Sequence, residues 1–313
     1  MIKHSFLPAL FLVVCTSLHA DVTMRMAFDF KINMAVPGGA PSLPFNEMVT
    51  RIKGDRGYAS MGPIVALTNL ATGQMTLLDP KGQRFATMAM ADYLSKIGGA
   101  QGQATANIPE QAKQILAMIK FDTQSHDTGR TDKIQGIDAY EREVVVDMSI
   151  PVPLPGQEKG LHLIMKFQLW KPQPGEFERV PALRELAAYN ERNKGLSDPA
   201  TILRQMFSSL PGMGDNASKM VGELTKGGNV MLAMHMGVAV PGLAKMMEQM
   251  QPNSTASLGL PEGDKPLLEV NVDLKDLNND KVPEETFAAP TGYKEAPMED
   301  LVKGLTAAFT GGK

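Results

Sequence analysis

The chain has 313 residues, of which 43% are hydrophobic and 21% are charged, a composition typical of globular proteins that bury a sizeable core. Its formal net charge is only −3, so composition gives no basis for a nucleic-acid-binding surface or for attraction to acidic lipids. The single cysteine, Cys15, lies in the N-terminal segment described next. The rest of the chain therefore has no disulfide, no thiolate metal site and no cysteine nucleophile.

Residues 1–20 have the layout of a secretory signal sequence. A positively charged start is followed by an apolar run over residues 6–14, and the small residue Ala20 ends the segment. The run is too short to span a bilayer permanently. A lipoprotein signal at Cys15 is the alternative, but Val14 is not the small residue that such a site requires. We expect a periplasmic or secreted bacterial protein that is not transmembrane after signal cleavage.

Residues 22–90 are predicted to form β-strands. From residue 22 the chain alternates strictly between apolar and polar or small side chains, which predicts a strand with one apolar face; the apolar positions are Val22, Met24, Met26, Phe28, Phe30, Ile32 and Met34. Short apolar stretches then alternate with turn sequences at 54–55, 71–73 and 79–82. This spacing indicates an antiparallel meander.

The middle of the chain changes period and then returns to strands. Residues 91–119 carry two helical patterns, the second opening at Pro109. Further strands are predicted at 121–128, 140–148 and 161–170. The alternating prolines of the linker that follows residue 150 suit an extended edge better than a central strand.

Residues 178–250 are predicted to be helical. Asp198-Pro199 is a helix start signal, and Gly227-Gly228 is a stop signal. The stretch from Asn229 to Ala244 carries no formal charge, which implies burial or a partner. Alternation resumes over residues 268–275, and a final amphipathic helix ends the chain. We interpret these features as one β-domain with a helical insertion.

No pattern of catalytic or metal-binding residues stands out. After signal cleavage the histidines are His126, His162 and His235, and none has the spacing of a zinc motif. A G-x-S-x-G elbow is also absent. We therefore predict a protein that is not an enzyme, with no catalytic, cofactor-binding or metal-binding residues. A hydrolase with a dispersed site is the lesser alternative, because the members of a triad converge only in space.

Methionine is the unusual feature of the composition, with 22 residues. Met231, Met234 and Met236 flank His235, and thioethers together with histidine bind the soft ion Cu(I). Methionine also fills irregular cores and forms adaptable apolar surfaces. The sequence favours this second interpretation, because on strands the M-x-M spacing follows from alternation alone.

An apolar strand face and a methionine-rich, chargeless segment together favour a hydrophobic ligand such as an acyl chain. A plain sheet packed on helices without a cavity is the alternative, because periodicity predicts burial without saying against what. The candidate ligand-contacting residues are Met24, Met26, Phe28, Phe30, Ile32, Met231, Met234, Met246 and Met247.

Three sequence elements carry a resemblance. They are the strand directly after the signal sequence, the hairpin series that runs from R-I-K-G-D-R-G-Y to L-L-D-P-K-G-Q-R-F, and the pair K-I-Q-G-I-D-A-Y-E and V-P-E-E-T-F-A-A-P-T-G-Y-K. Together they resemble a bacterial secreted family of unknown function that is similar to the periplasmic lipoprotein-carrier (LolA/LolB-like) half-barrel superfamily. That resemblance implies a curved antiparallel half-barrel closed by helices over a hydrophobic cavity, and it implies no catalytic residues.

The resemblance and the residue patterns lead to one expectation. The fold class is α+β, a curved antiparallel half-barrel formed by residues 21–177 and 264–313, with covering helices and a helical insertion, residues 178–263, as a candidate lid. The expected function is non-enzymatic binding of a lipid, another hydrophobic ligand or a lipidated protein. The alternative is a structural or regulatory cell-envelope protein that binds a protein partner through its helical insertion.

Overall fold

A computed structural model describes residues 21–35, 45–93, 118–150, 160–193, 214–250, 259–261, 263 and 265–302. The strands in chain order are β1 (Val22–Ile32), β2 (Glu47–Lys53), β3 (Arg56–Met61), β4 (Ile64–Asn69), β5 (Gln74–Asp79), β6 (Arg84–Ala89), β7 (Lys120–Ile134), β8 (Ile137–Ile150), β9 (Leu161–Pro172), β10 (Ala233–Ala239), β11 (Leu268–Asn278) and β12 (Lys294–Glu295). The helices whose two ends both lie in the described residues are α1 (Glu176–Arg179), α2 (Pro181–Arg192), α3 (Gly214–Thr225) and α4 (Leu243–Met250), with a 3-10 turn at Glu284–Phe287; residues 90–93 and 298–302 are also helical.

One sheet contains all twelve of these strands, in the order β12-β6-β5-β4-β3-β2-β1-β11-β10-β9-β8-β7. The pairings are antiparallel except for the short parallel contact between β12 and β6. Strand β1 therefore lies in the interior of the sheet, between the first meander and the strand β11 that comes almost last in the chain. The predicted α+β class with a large antiparallel sheet is confirmed, and the sheet is not closed.

The predicted meander and its turns are confirmed. Asp79 stabilises the turn between β5 and β6, where its Oδ1 accepts a hydrogen bond from the backbone N–H of Gly82 at 2.8 Å. Gly54 has a φ of 58° in the tight turn between β2 and β3, a conformation that glycine adopts without steric cost. These turns set the register that places β1 to β6 side by side.

The prediction that residues 178–263 form a purely helical insertion is wrong at Ala233–Ala239. Helices α2, α3 and α4 do lie in this segment, but its chargeless part forms β10, an interior strand between β9 and β11. A short apolar run has the same appearance in a buried helix and in a strand that is covered on one face. The segment therefore contributes to the sheet itself.

Several other predictions fall outside the described residues. These are the signal sequence at 1–20, the second helix of 91–119 apart from its last two residues, and the helix expected after Asp198-Pro199. Within the described parts of the chain, no helix combines the length and the apolar character needed to cross a membrane.

Helix α2 covers one part of the sheet. Its buried residues Leu183 and Leu186 belong to a core cluster with Val22, Met26 and Leu274. The Tyr189 hydroxyl lies 2.6 Å from Thr68 Oγ1, so the same helix also makes a polar contact with β4. Burial of these aliphatic side chains is the main stabilising term in such a contact.

Gly57 is required where α2 approaches β3. A Cβ added there would lie 2.1 Å from the Tyr189 hydroxyl oxygen and 2.5 Å from Thr68 Oγ1. We expect Gly57→Ala to displace α2 and to lower the free energy of unfolding by about 1–3 kcal/mol, the usual cost of overpacking. Urea denaturation checks this, and Gly57→Ala combined with Tyr189→Phe should recover part of the loss because the hydroxyl is then absent. A single substitution as stable as the wild type would contradict the contact.

Candidate functional site

The register aligns apolar side chains in rows on one face of the sheet, which we call the inner face. Directly opposite residues in antiparallel strands project to the same side, so each row crosses β1, β11 and β10 in turn. The three rows are Phe28-Val272-Met234, Phe30-Val270-Met236 and Ile32-Leu268-Val238. Strand β9 continues them with Leu169, Phe167 and Met165.

Burial decreases along the inner face. Beside the first row, Met26 and Leu274 are 3% and 2% exposed, and they lie in the core cluster that α2 covers. In the first row Val272 is still buried, at 5% exposed. Further along the same strands the inner-face side chains are only half-buried. The sheet thus has a closed end beneath α2 and a less covered end away from it.

The less covered end forms a continuous apolar surface on three adjacent strands. All of its side chains are half-buried, so each still has contact with solvent. We call this surface the apolar patch; it consists of Phe30, Ile32, Leu268, Val270, Met236 and Val238.

A second group of side chains continues the inner face beneath α3. Six of its eleven described members are methionines, and Met220 and Leu224 of α3 pack against it. We call this group the methionine cluster; it consists of Val144, Val146, Met148, Met165, Phe167, Leu169, Met220, Leu224, Met231, Met234 and Met236. It adjoins the apolar patch, because Met236 belongs to both.

The predicted ligand-contacting residues of β1 divide between the two ends. Met24, Met26 and Phe28 pack in the cluster beneath α2, whereas Phe30 and Ile32 lie in the apolar patch. The alternation in the sequence identified the face correctly. It carried no information on which part of that face the helices cover.

Two of the four residues predicted to cover this face from a lid lie at the sheet itself. Met234 is on β10, in the same sheet as β1, and Met231 lies two residues before that strand; both pack in the methionine cluster. This corrects the prediction of Met231 and Met234 as lid residues. Met246 and Met247 are on α4, which begins four residues after β10 ends.

Sequence reasoning missed four members of the apolar patch. Leu268 and Val270 belong to the alternating stretch predicted as a strand, and Met236 and Val238 to the segment predicted as helix. The signal that identifies them is pairing: β1 and β11 are adjacent in space but separated by more than 230 residues in the chain. Local patterns do not encode such long-range neighbours.

Two of the candidate histidines, His235 and His162, are paired with aspartates. His235 Nε2 is 3.1 Å from Asp273 Oδ1, and His162 Nδ1 is 3.0 Å from Asp147 Oδ1. His235 alternates with Met234 and Met236, so it projects to the opposite side of β10. The joint histidine and methionine site considered from the sequence is therefore not formed. Among the described residues, no group of three or more histidine, cysteine, aspartate or glutamate side chains is arranged to hold a metal ion.

The opposite face carries an open groove of about 430 Å³ across β9, β10 and β11, with both apolar and polar side chains in its lining. Gly237 opens it, because a Cβ there would approach Pro266 Cβ at 3.3 Å. Two groups of its lining are paired within the protein, since Lys166 Nζ is 2.7 Å from Glu143 Oε2 and His235 Nε2 is 3.1 Å from Asp273 Oδ1. Glu269 Oε1 accepts a hydrogen bond from the Asn33 amide at 2.9 Å.

A buried lysine attaches the end of α3 to the sheet. Lys171 on β9 is 2% exposed, and its ammonium donates hydrogen bonds to the carbonyls of Leu224, Lys226 and Gly228 at 3.0, 2.7 and 2.9 Å. Helix C-termini carry unpaired carbonyls and a partial negative charge that a cation satisfies. Burial, with a smaller contribution from the Arg142 charge, lowers the pKa of Lys171 to about 8.

Arg142 makes a second attachment next to this lysine. Its guanidinium is 2.9 Å from Glu223 Oε2 in the last turn of α3 and 2.7 Å from Asp127 Oδ1 on β7. The hydrogen bond from Ser125 and that from Arg142 hold the pKa of Glu223 below its usual range. Two cations of neighbouring strands thus hold α3 over the methionine cluster.

Comparisons with known proteins add little. A scan against protein-family models finds no match, and a search of curated proteins finds none either. One solved structure with a matching region is described as "Structure of PNGF-II in C2 space group", with 9% sequence identity and a TM-score of 0.30. The alignment covers 92% of this chain but 33% of that chain, so this chain spans about a third of its length. A likeness at this level carries no argument about fold or function.

Proposed function

We propose that this chain is a non-enzymatic carrier or binding protein that holds a lipid, or the lipid part of a modified protein, on the apolar patch. The observation that carries the proposal is the decrease in burial along the inner face. Apolar side chains on adjacent strands pass from buried beneath α2 to half-buried at the patch. A contiguous apolar surface that remains partly in contact with water favours a ligand or partner.

The composition of the surface supports an acyl chain over a rigid ligand. Met236 in the patch and the adjoining methionines of the cluster have flexible, polarizable side chains that adapt to ligands of varying shape. Apolar pockets with few polar groups are the usual sites for such molecules. The rows contain no charged side chain that would select a polar ligand.

The proposal also includes the shape of the sheet around the ligand and the compartment in which the protein acts. The open sheet would curve into a half-barrel around the ligand, in line with the resemblance to the lipoprotein-carrier superfamily. The protein would act in the periplasm or outside the cell, as residues 1–20 indicate.

We expect Phe30→Asp to weaken binding of a fluorescent fatty acid by more than about tenfold, because ligand binding would desolvate the new carboxylate. The probe is a fatty acid with an environment-sensitive fluorophore, titrated in detergent-free buffer. Thr23→Asp is the matched control. It introduces the same charge on the same strand but on the opposite face, across from Arg51, and should bind as the wild type does.

Equal binding by Phe30→Asp and the wild type would remove the apolar patch as the site. Circular dichroism of both variants shows whether the sheet is intact. If Phe30→Asp is unfolded, Val270→Gln tests the same surface without a charge and should also weaken binding.

A further inference from the structure

Strand β7 forms one edge of the sheet, and its outer side pairs with no strand among the described residues. With 15 residues it is also the longest of the described strands. An unpaired edge presents a row of backbone N–H and C=O groups that hydrogen-bond to any suitable strand. Charged side chains on an edge strand prevent indiscriminate pairing. The arrangement of the charges on β7 therefore decides which strand it accepts.

Four exposed charged side chains of β7 lie on one face of the sheet. The β8 residues opposite Lys120, Asp122 and Asp132 are separated by even numbers of residues, so these three side chains project to the same side. Arg130 joins them, because it contacts Glu141 on that face of β8. Helix α3 packs against the other face, in the methionine cluster.

The order of these four charges is self-complementary in an antiparallel pair. The signs are positive at 120 and negative at 122, and then positive at 130 and negative at 132. A second copy of β7 running in the opposite direction sets Lys120 against Asp132 and Asp122 against Arg130, and a two-fold axis repeats both pairs. A slip of two residues sets Lys120 against Arg130 in one direction and Asp122 against Asp132 in the other, and like charges directly opposite each other repel.

The β-bulge within β7 preserves this match. Between Asp127 and Thr131 the chain of β7 advances four residues while β8 advances two, from Arg142 to Tyr140. The excess is an even number, so the charged positions on both sides of the bulge keep the same face. Arg130 lies in the bulge and binds its β8 partner through Nε and Nη2. A guanidinium has a third nitrogen, which can donate to a second carboxylate.

We propose that β7 pairs with β7 of a second copy of this chain, so that two open sheets join edge to edge in a two-fold symmetric dimer. The partner is a second copy because the charge order of one strand matches its own reverse. Backbone hydrogen bonds supply the contact, and the charge pairs select the register. The apolar patch lies on strands that β8 and β9 separate from β7, so the inference does not depend on lipid binding.

The test is sedimentation velocity, over a range of concentrations, of the chain purified from an exported compartment. We expect a reversible dimer. Lys120→Asp should weaken it by more than about tenfold, because the new carboxylate opposes Asp132 at two places in the dimer. Asp132→Lys should have a similar effect, and the double variant that exchanges the two charges should restore dimerisation. Lys275→Asp, the same change at an exposed position of the interior strand β11, is the matched control and should dimerise as the wild type does.

A monomer at every concentration, or a dimer that no β7 substitution affects, would overturn the proposal. A double variant no better than the single variants would do the same, because the register would then be wrong.

Cysteine cross-linking decides should a charge variant fail to fold. Directly opposite residues in antiparallel strands have Cα atoms about 4.5–5.5 Å apart, within the range of a disulfide. A mixture of Lys120→Cys and Asp132→Cys chains must therefore form a cross-linked dimer on mild oxidation, and neither variant alone should do so. Absence of the cross-link in the mixture would overturn the proposal.

Discussion

Lys171→Met is expected to lower the free energy of unfolding by about 3 kcal/mol at pH 7, because three carbonyls at or just beyond the end of α3 lose their hydrogen-bond donor. Methionine keeps the apolar stem of the lysine, so the change removes the ammonium with little loss of packing. The substitution also removes the cost of a buried charge, which offsets part of the loss. Chemical denaturation measures the difference.

Lys166→Met is the matched control for this prediction. Lys166 lies on the same strand, but its side chain is 51% exposed and pairs with Glu143 on the opposite face. Exposed pairs of this kind contribute about 0–1 kcal/mol. Hydrogen exchange should also speed up in α3 of Lys171→Met and stay unchanged in Lys166→Met. Equal stability of the two variants would show that the carbonyls do not depend on the ammonium.

The second large effect is a pH dependence that Lys171 introduces. Burial, followed by the nearby Arg142 charge, lowers its pKa from 10.5 to about 8, while the Asp127 charge acts in the opposite direction. Between these two values the unfolded chain binds more protons than the folded chain, so stability rises with pH through this window. The two pKa values differ by about 2.5 units, and each unit corresponds to 1.36 kcal/mol. The free energy of unfolding therefore rises by at most about 3 kcal/mol across this window.

We therefore expect the stability of the wild type relative to Lys171→Met to increase from pH 8 to pH 10.5. Groups distant from Lys171 that titrate in this range cancel in the difference, because both proteins contain them. Tyr140 lies opposite Lys171 on β8, and burial raises the pKa of its hydroxyl, so the combination with Tyr140→Phe in both proteins isolates the lysine. A difference that is constant over this range would show that Lys171 has an ordinary pKa in the folded protein.

Sequence patterns predict the strands of this fold well. Strict alternation identifies β1 and its apolar face, and the turn residues at 79–82 and at Gly54 identify the meander. Both signals are local, because alternation has the period of a strand and turn residues reflect backbone preferences. The chargeless segment that forms β10 is bounded by the turn residues Gly227-Gly228 and Pro241-Gly242, but its apolar run is too short to separate strand from helix.

The candidate site depends on relations that no local pattern contains. The apolar patch forms because β11 and β10 pair next to β1, and the methionine cluster forms because α3, which lies on β7 and β8, adds Met220 and Leu224 to the side chains of the sheet. Lys171 is a charged residue near the end of a largely apolar strand, and the position of the α3 C-terminus explains its burial. Sequence reasoning therefore identified the face and left the covered and uncovered parts undetermined.

The central claim is that the apolar patch holds a hydrophobic ligand. The most direct test is native mass spectrometry of the chain without residues 1–20, produced in an exported compartment, purified without detergent and then incubated with a lipid extract. We expect the wild type to carry discrete additional mass of lipid size, and we expect Phe30→Asp to lack this additional mass. A mass equal to that of the polypeptide alone, before and after incubation, would contradict the account and would mean that the inner face is an ordinary core.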